Sequence, residues 1–528
     1  MKAKISSILI VFALFLSACS AKTVVAPVVV KSTSVAQQAQ PIAAPAEAPL
    51  ALPTAAPLVL YTVPTAAPGP VSTPADTFFT NYGVNPYTNT REDHLSTFAL
   101  DVDTASYSLA RSYINEGLIP PVDAIRVEEF INYFEQGYPA PEEATFAIYA
   151  DGTPSPFLDD GTYLVRIGIQ GYRLPEAERA PLTLTFVIDV SGSMSQDNRL
   201  ELVKQALALL VDRLRPDDTV GIVAYSSEAR VVLYPTAGSE RRAILEAINS
   251  LYPENSTNAE AGLRLGYQLA MQYFRAGTTN RVILASDGVA NVGATGPQTI
   301  LDEVRGYVDE GVTLTTVGVG MGNYNDVLLE QLADNGDGNY AYVDTLDEAR
   351  KVFVEDLVST MQVIARDAKV QVDFNADVVE RYRLIGYENR AVADEDFRND
   401  AVDAGEIGAG HSATALYAVQ LRPGAQGRLA TVQLRWQEPQ SYAIVEINHN
   451  LNTSDLAASF DDTSSYYQMT VVVAQFAEVL RHSPYAAGSE AWQLVELANR
   501  LPRSLEDARV LEFAQLVSRS AQLGALGR

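Results

Sequence analysis

Leu182-Thr-Leu-Thr-Phe-Val-Ile-Asp-Val-Ser-Gly-Ser-Met194 decides the fold of this chain. Its first part is an apolar, β-branched strand that closes on a carboxylate, Asp189. In open α/β folds ligands bind at the carboxyl ends of the strands, so a strand here carries Asp189 to that edge. The turn Ser191-Gly192-Ser193 then offers two hydroxyls at alternate positions, able to face one point beside the carboxylate. Such oxygens are hard donors and suit Mg²⁺, with Mn²⁺ or Ca²⁺ as alternatives. The same residues would also cap a following helix, because Ser and Asp accept hydrogen bonds from its first free N–H groups.

Outward from this stretch, strand and helix patterns alternate. The spacing predicts helices over residues 199–214, 240–249, 259–274, 298–310, 326–333 and 346–361. Strands are expected over 183–188, 219–225, 229–234, 280–286, 312–319 and 339–343. Apolar strands alternating with helices imply a doubly wound, mostly parallel sheet covered on both faces. The expected bounds of this unit are 178–362.

The pattern Asp189-x-Ser191-x-Ser193 resembles the metal-ion-dependent adhesion site of von Willebrand factor type A domains. Two further pieces stand where that resemblance requires them. Thr257 lies in Glu254-Asn-Ser-Thr-Asn258, just before a helix, and Asp287 follows the strand 280–286. The resemblance implies that Ser191 and Ser193 bind the metal directly, Thr257 directly or through water, and Asp189 and Asp287 mostly through water. In that family a pair of glycines commonly precedes the threonine, where this chain has Asn255-Ser256. A metal held by hydroxyls and waters keeps much of its charge, and Mg²⁺ usually retains several waters. The expected partner is therefore a protein or other ligand that presents a carboxylate and displaces one of them.

Composition frames this reading. The 528 residues suggest two or three domains, and 47% hydrophobic with 20% charged residues is ordinary for folded protein. A formal net charge of −27 argues against a nucleic-acid partner, whose phosphates it would repel. Met1-Lys-Ala-Lys4 and the apolar run 5–16 form a signal peptide, expected over 1–18. Leu16-Ser-Ala-Cys19 resembles the lipobox of bacterial lipoproteins, which implies cleavage before Cys19 and lipid attachment to its thiol. Cys19 is the chain's single cysteine. The resemblance places the protein on the cell membrane or outer membrane, on a periplasmic or extracellular face. Residues 19–77 are rich in Ala and Pro and read as an extended tether.

The folded body is expected from residue 78. Leu95-Ser-Thr-Phe-Ala-Leu-Asp-Val-Asp103 and Pro120-Pro-Val-Asp-Ala-Ile-Arg-Val-Glu-Glu-Phe130 precede the central unit. Tyr382-Arg-Leu-Ile-Gly-Tyr-Glu-Asn-Arg390 and Gly405-Glu-Ile-Gly-Ala-Gly-His411 follow it. With these runs the chain resembles a family of bacterial von Willebrand A-domain lipoproteins that have an associated N-terminal segment and a C-terminal domain of unknown function. Alternating runs at 145–150, 162–170, 369–375, 413–421 and 428–436 are expected to pair into a β-sandwich into which the central unit is inserted. The expected divisions are therefore 78–177, 178–362, a β-rich 363–460 and a helical 461–528.

No catalytic set is expected. Asp101-Val-Asp103 lacks the continuation of a phosphatase motif, and Asp334-Asn-Gly-Asp-Gly-Asn339 lacks the late glutamate of a calcium loop. The expectation is a binding protein and not an enzyme. The alternatives are an envelope hydrolase or carbohydrate-processing protein, with Glu406 and His411 as its candidates, and a purely structural envelope protein.

Overall fold

Strands on either side of the central unit close on one another. The protein, a computed structural model, is described over residues 79–526 except 101, 255, 289–296, 321–324, 357–360, 403 and 488–489. The signal peptide, Cys19, the tether, Asp101 and Asn255 lie outside the described residues.

Before the central unit come β1 (Thr88–Asn89), β2 (Leu95–Ala99), α1 (Ala105–Asn115), α2 (Val127–Asn132), β3 (Phe146–Pro154) and β4 (Thr162–Gly171). The central unit opens with β5 (Leu182–Asp189), α3 (Arg199–Val211), β6 (Thr219–Tyr225) and β7 (Ala229–Ala237). It continues through α4 (Arg241–Asn249), α5 (Ala259–Gln272), β8 (Thr279–Ser286) and α6 (Pro297–Asp309). It ends with β9 (Val312–Val319), α7 (Asp326–Asp334), β10 (Tyr340–Val343) and α8 (Leu346–Arg350). Its sheet runs β10-β9-β8-β5-β6-β7, parallel except for the edge strand β7. Every residue of β5 is buried, which is why Leu, Phe, Val and Ile dominate it with threonine as the only neutral polar residue. Leu184, Phe186 and Ile188 face one helical layer, and Val187 faces the other.

The helix expected over 346–361 is α-helical only to Arg350. From Lys351 to Glu355 the backbone widens into a π turn, and the Asp356 N–H donates to the Lys351 carbonyl at 2.8 Å. That wider turn brings the half-buried Lys351 ammonium to the Asp356 carboxylate at 2.6 Å.

After the central unit come β11 (Val363–Phe374), β12 (Val379–Ile385), β13 (Gly405–Gly408), β14 (Ser412–Leu421), β15 (Arg428–Gln437) and β16 (Ile444–Asn452). β14 pairs antiparallel with β4, placing Val419 opposite Tyr163 and Ala413 opposite Ile169. The central unit thus emerges between β4 and β11 as an insertion. One sheet runs β1-β12-β14-β4-β3, and the other runs β13-β11-β15-β16 with β2 also on β11. Val165, Ile167 and Ile169 face Val370, Val372, Val432 and Leu434 across the sandwich. Alternation sends Leu164, Leu416 and Ala418 to the opposite face.

That face is covered by α1 and α2 together with α9 (Ser465–Leu480), α10 (Ala491–Arg500), α11 (Pro502–Leu505) and α12 (Ala508–Gln522). Phe130 and Phe134 meet Phe476 and Phe513, with ring centroids 6.2 and 5.5 Å apart in the pairs 130–476 and 134–513. Helices from the two ends of the chain therefore share one core. The α1 helix serves two cores at once, with Tyr107 and Ile114 in this bundle and Leu109 and Tyr113 against the central sheet. No described helix is long and apolar enough to cross a membrane.

Buried ion clusters fasten the inserted unit. Arg111 of α1 reaches Asp344 at 2.5 Å and Glu348 at 2.8 Å. Arg126 pairs with Asp326, with Glu129 at 3.0 Å and with Glu330 at 2.7 Å. Removing one partner from such a cluster leaves charge without compensation in a low dielectric, which costs far more than the intact pair contributes.

Candidate metal-binding edge

Asp189 ends the central strand and is fully buried. Its Oδ1 accepts the Ser191 N–H at 2.8 Å, and its Oδ2 accepts the hydroxyls of Ser286 at 2.8 Å and Tyr225 at 3.2 Å. Burial pushes its carboxyl up to about 6, against the lowering effect of its bonds to Ser191 and Ser286. The Ser191 and Ser193 hydroxyls lie 3.0 Å apart, and Ser193 donates to Asp287 Oδ1 at 3.1 Å. The structure thus links Asp189, Ser191, Ser193 and Asp287 in one chain of oxygens at the carboxyl edge of β5 and β8.

The loop that carries Thr257 is fastened to this edge three residues earlier. The Glu254 N–H donates to the Val190 carbonyl at 2.5 Å, tying that loop to the turn that carries the serines. Among the described residues no hydrogen bond joins the half-buried Thr257 hydroxyl to the chain of oxygens. Asn258, not Thr257, caps α5 by accepting the Ala261 N–H at 3.1 Å. The serines do not act as helix caps either, since neither the 3-10 turn Gly192–Asn198 nor α3 has a side-chain cap.

The donor set fits a small hard cation. At the metal–oxygen distances of Mg²⁺, neighbouring corners of an octahedron are about 2.9–3.0 Å apart. The Ser191 and Ser193 hydroxyls, 3.0 Å apart in a hydrogen bond, are close enough for both to reach one ion of that size, with Asp287 hydrogen-bonded to Ser193 behind them. Ser191, Asp189 and Asp287 are buried, Ser193 is partly open, and Gly192 and Ser195 are exposed, so the cluster has one accessible side.

Sequence reasoning missed Tyr225, Ser286 and Arg199. Ser286 and Tyr225 hold Asp189 from adjacent strands, a relation set by β5 lying between β8 and β6. Arg199 donates to Asp287 Oδ2 at 2.7 Å from the first residue of α3. Nothing in the local pattern around Arg199 signals a partner 88 positions away.

Of the alternative pair, Glu406 and His411, the structure places only His411 on the wall of a large cleft. His411 lines a cleft of about 430 Å³ with Asn132, Arg173, Lys351 and Asp356, and Glu406 is not among its walls. Burial pushes the His411 imidazole down to about 4, so it is neutral near pH 7. Asp103 serves structure, accepting the Tyr340 N–H at 3.0 Å and Arg390 at 3.4 Å.

Three families of known sequence cover the body of this chain. Residues 73–166 match the one described as von Willebrand factor, 183–356 the von Willebrand factor type A domain, and 359–523 the C-terminal part of uncharacterized protein YfbK. Uncharacterized protein YfbK of Escherichia coli is 37% identical over 474 residues, which cover 85% of this chain and 81% of that protein. The chain belongs to this bacterial family of von Willebrand A-domain proteins. The uncharacterized protein sll0103 of Synechocystis is 31% identical over 189 residues, covering 36% of this chain and 44% of that one. A solved von Willebrand factor type A protein from Catenulispora acidiphila aligns at 14% identity and a TM-score of 0.41, covering 74% of this chain and 89% of its own. Within the family frame, 183–356 is a von Willebrand A domain, and its matched span contains all five residues of the candidate site.

Proposed function

We propose that this protein binds a carboxylate-bearing protein or other acidic ligand through a divalent metal, Mg²⁺ in the first instance, held at the edge of its A domain. One observation carries this reading: the Ser191 and Ser193 hydroxyls meet at the carboxyl edge of β5, beside buried Asp189 and Asp287, with one side open. Ser191 and Ser193 would hold the ion, Thr257 would complete the set, and Asp189 and Asp287 would balance its charge. The bound metal supplies an electrophilic point that an incoming carboxylate can occupy in place of water.

The protein acts by binding and not by catalysis. It is anchored on the cell envelope by lipid at Cys19, with 19–77 as the tether. Labelling cells with a radioactive fatty acid tests the anchor. Incorporation that Cys19→Ser abolishes is expected, and equal incorporation by the variant refutes it. Isothermal titration with Mg²⁺, in native protein and in Ser191→Ala plus Ser193→Ala, tests the metal. Loss of binding in the double variant supports the reading, and binding that is unchanged by the substitutions overturns it.

A further inference from the structure

The charge at the edge is not set by the oxygen cluster alone. Arg199 is buried, and its guanidinium donates to Asp287 Oδ2 at 2.7 Å while Oδ1 of the same carboxylate receives Ser193. Its setting is distinctive in three ways. Asp197 and Asn198, immediately before it, both adopt left-handed backbone with φ of 47° and 58°, a conformation unusual for residues other than glycine. Gly320, at φ +74°, packs so closely on the guanidinium that a Cβ there would come within 2.1 Å of its Nε. Finally, Arg199 is the first residue of α3, where the helix dipole disfavours a cation, so local helix energetics do not account for it.

The other charges facing Arg199 are weaker. Asp197 lies 3.5 Å away but is 83% exposed, and solvent screens it. Glu116 is near enough to feel both Asp197 and Arg199, and it too lies mostly in solvent. The buried ledger is therefore two carboxylates, Asp189 and Asp287, against one guanidinium, with net charge −1. A divalent ion would bring this to +1, whereas without Arg199 the loaded edge would be neutral.

We infer that Arg199 is a specificity-determining residue that keeps the metal-loaded edge positive and so selects anionic ligands, at a cost in affinity for the metal itself. This rests on the metal-dependent reading above. Arg199 acts through Asp287 as a positioning and charge-setting group. Its direction of effect is unusual: removing it should strengthen metal binding, which loss of a merely structural residue does not do.

The test is Mg²⁺ titration by calorimetry of the full chain in its native form and as Arg199→Gln, Arg199→Lys and Arg199→Met, each with and without excess acetate. The Met variant preserves stem packing if Arg199→Gln does not fold. Removing a buried unit charge from the ion's surroundings should tighten Mg²⁺ binding by about tenfold or more. Arg199→Lys, which keeps the charge, should stay near native. Because linkage is reciprocal, acetate should raise the Mg²⁺ affinity of the native chain and raise that of Arg199→Gln or Arg199→Met less. Native binding of Mg²⁺ with unchanged or weaker binding in the neutral variants overturns this inference and leaves the metal site standing. No native Mg²⁺ binding overturns both.

Discussion

Two regions of the molecule gather acidic side chains around arginine, and they use them differently. At the seam between the A domain and α1–α2, Arg126 meets Glu129, Asp326 and Glu330, and every one of these carboxylates has a further donor. Tyr340 donates to Asp326 at 2.6 Å, Asn389 to Glu330 at 2.9 Å, and the Ser106 N–H to Glu129 at 2.8 Å. The seam is closed, and its charges act as fasteners. At the edge of β5, Asp189 and Asp287 are met by the Ser191 N–H and Arg199 but also by the hydroxyls of Ser193, Tyr225 and Ser286, and one side is open. The difference teaches that a buried carboxylate signals function through the kind of donor it faces. Guanidinium and N–H groups fix charge in both places, and what sets the edge apart is the pair of serine hydroxyls on its open side.

The comparison can be broken first at the seam. Arg126→Met should destabilise the protein by about 3–5 kcal/mol, read in denaturant unfolding, because three carboxylates lose their buried partner. The folded fraction should keep native Mg²⁺ affinity. A loss of metal binding without a loss of stability would erase the distinction between the regions.

At the edge the order should reverse. Ser191→Ala plus Ser193→Ala should weaken Mg²⁺ binding by about tenfold or more and shift stability by less than about 1 kcal/mol in the metal-free protein. Calorimetry and thermal melting of the same preparation give both numbers.

A smaller effect sharpens the electrostatics. In metal-free protein, burial lifts the Asp189 carboxyl from its ordinary 3.8 to about 6, so the folded chain holds this proton more tightly than the unfolded chain. Its contribution to stability is therefore fully present at low pH and declines as pH rises toward and through about 6. Melting curves in EDTA should show native protein losing stability relative to Asp189→Asn as pH rises across that window. Mg²⁺ should restore it. Parallel pH profiles of the two proteins would contradict the burial argument.

Much of the A domain was legible because its strands are buried on both faces and its helices alternate with them. The run 182–194 gives strand, carboxylate and turn in sequence, and the oxygens of Asp189, Ser191 and Ser193 follow from local geometry. That 162–170 would join the later strands in a sandwich was legible from alternation, but its specific partner, β14, was not. Strands β1, β2, β12, β13 and β16 were not legible, because β1, β2 and β13 are short and β12 and β16 carry charged or polar residues on an open face. The shared bundle of α1, α2, α9 and α12 was also hidden. Amphipathic faces announce burial, yet Phe134 and Phe513 stand far apart in the chain, and local pattern carries no address for such a partner. Arg199 was missed for the same reason. The π turn after α8 was hidden because a pair five residues apart, such as Lys351 and Asp356, gives no signal in a pattern read at the three- and four-residue spacing of an α-helix.

The most direct measurement is anomalous diffraction from crystals of the protein soaked in Mn²⁺. The account expects one strong peak at the edge, bonded to both Ser191 and Ser193 oxygens and lost from crystals of the double alanine variant. An edge without a peak, its serine hydroxyls still bonded to each other and to Asp287, would contradict it.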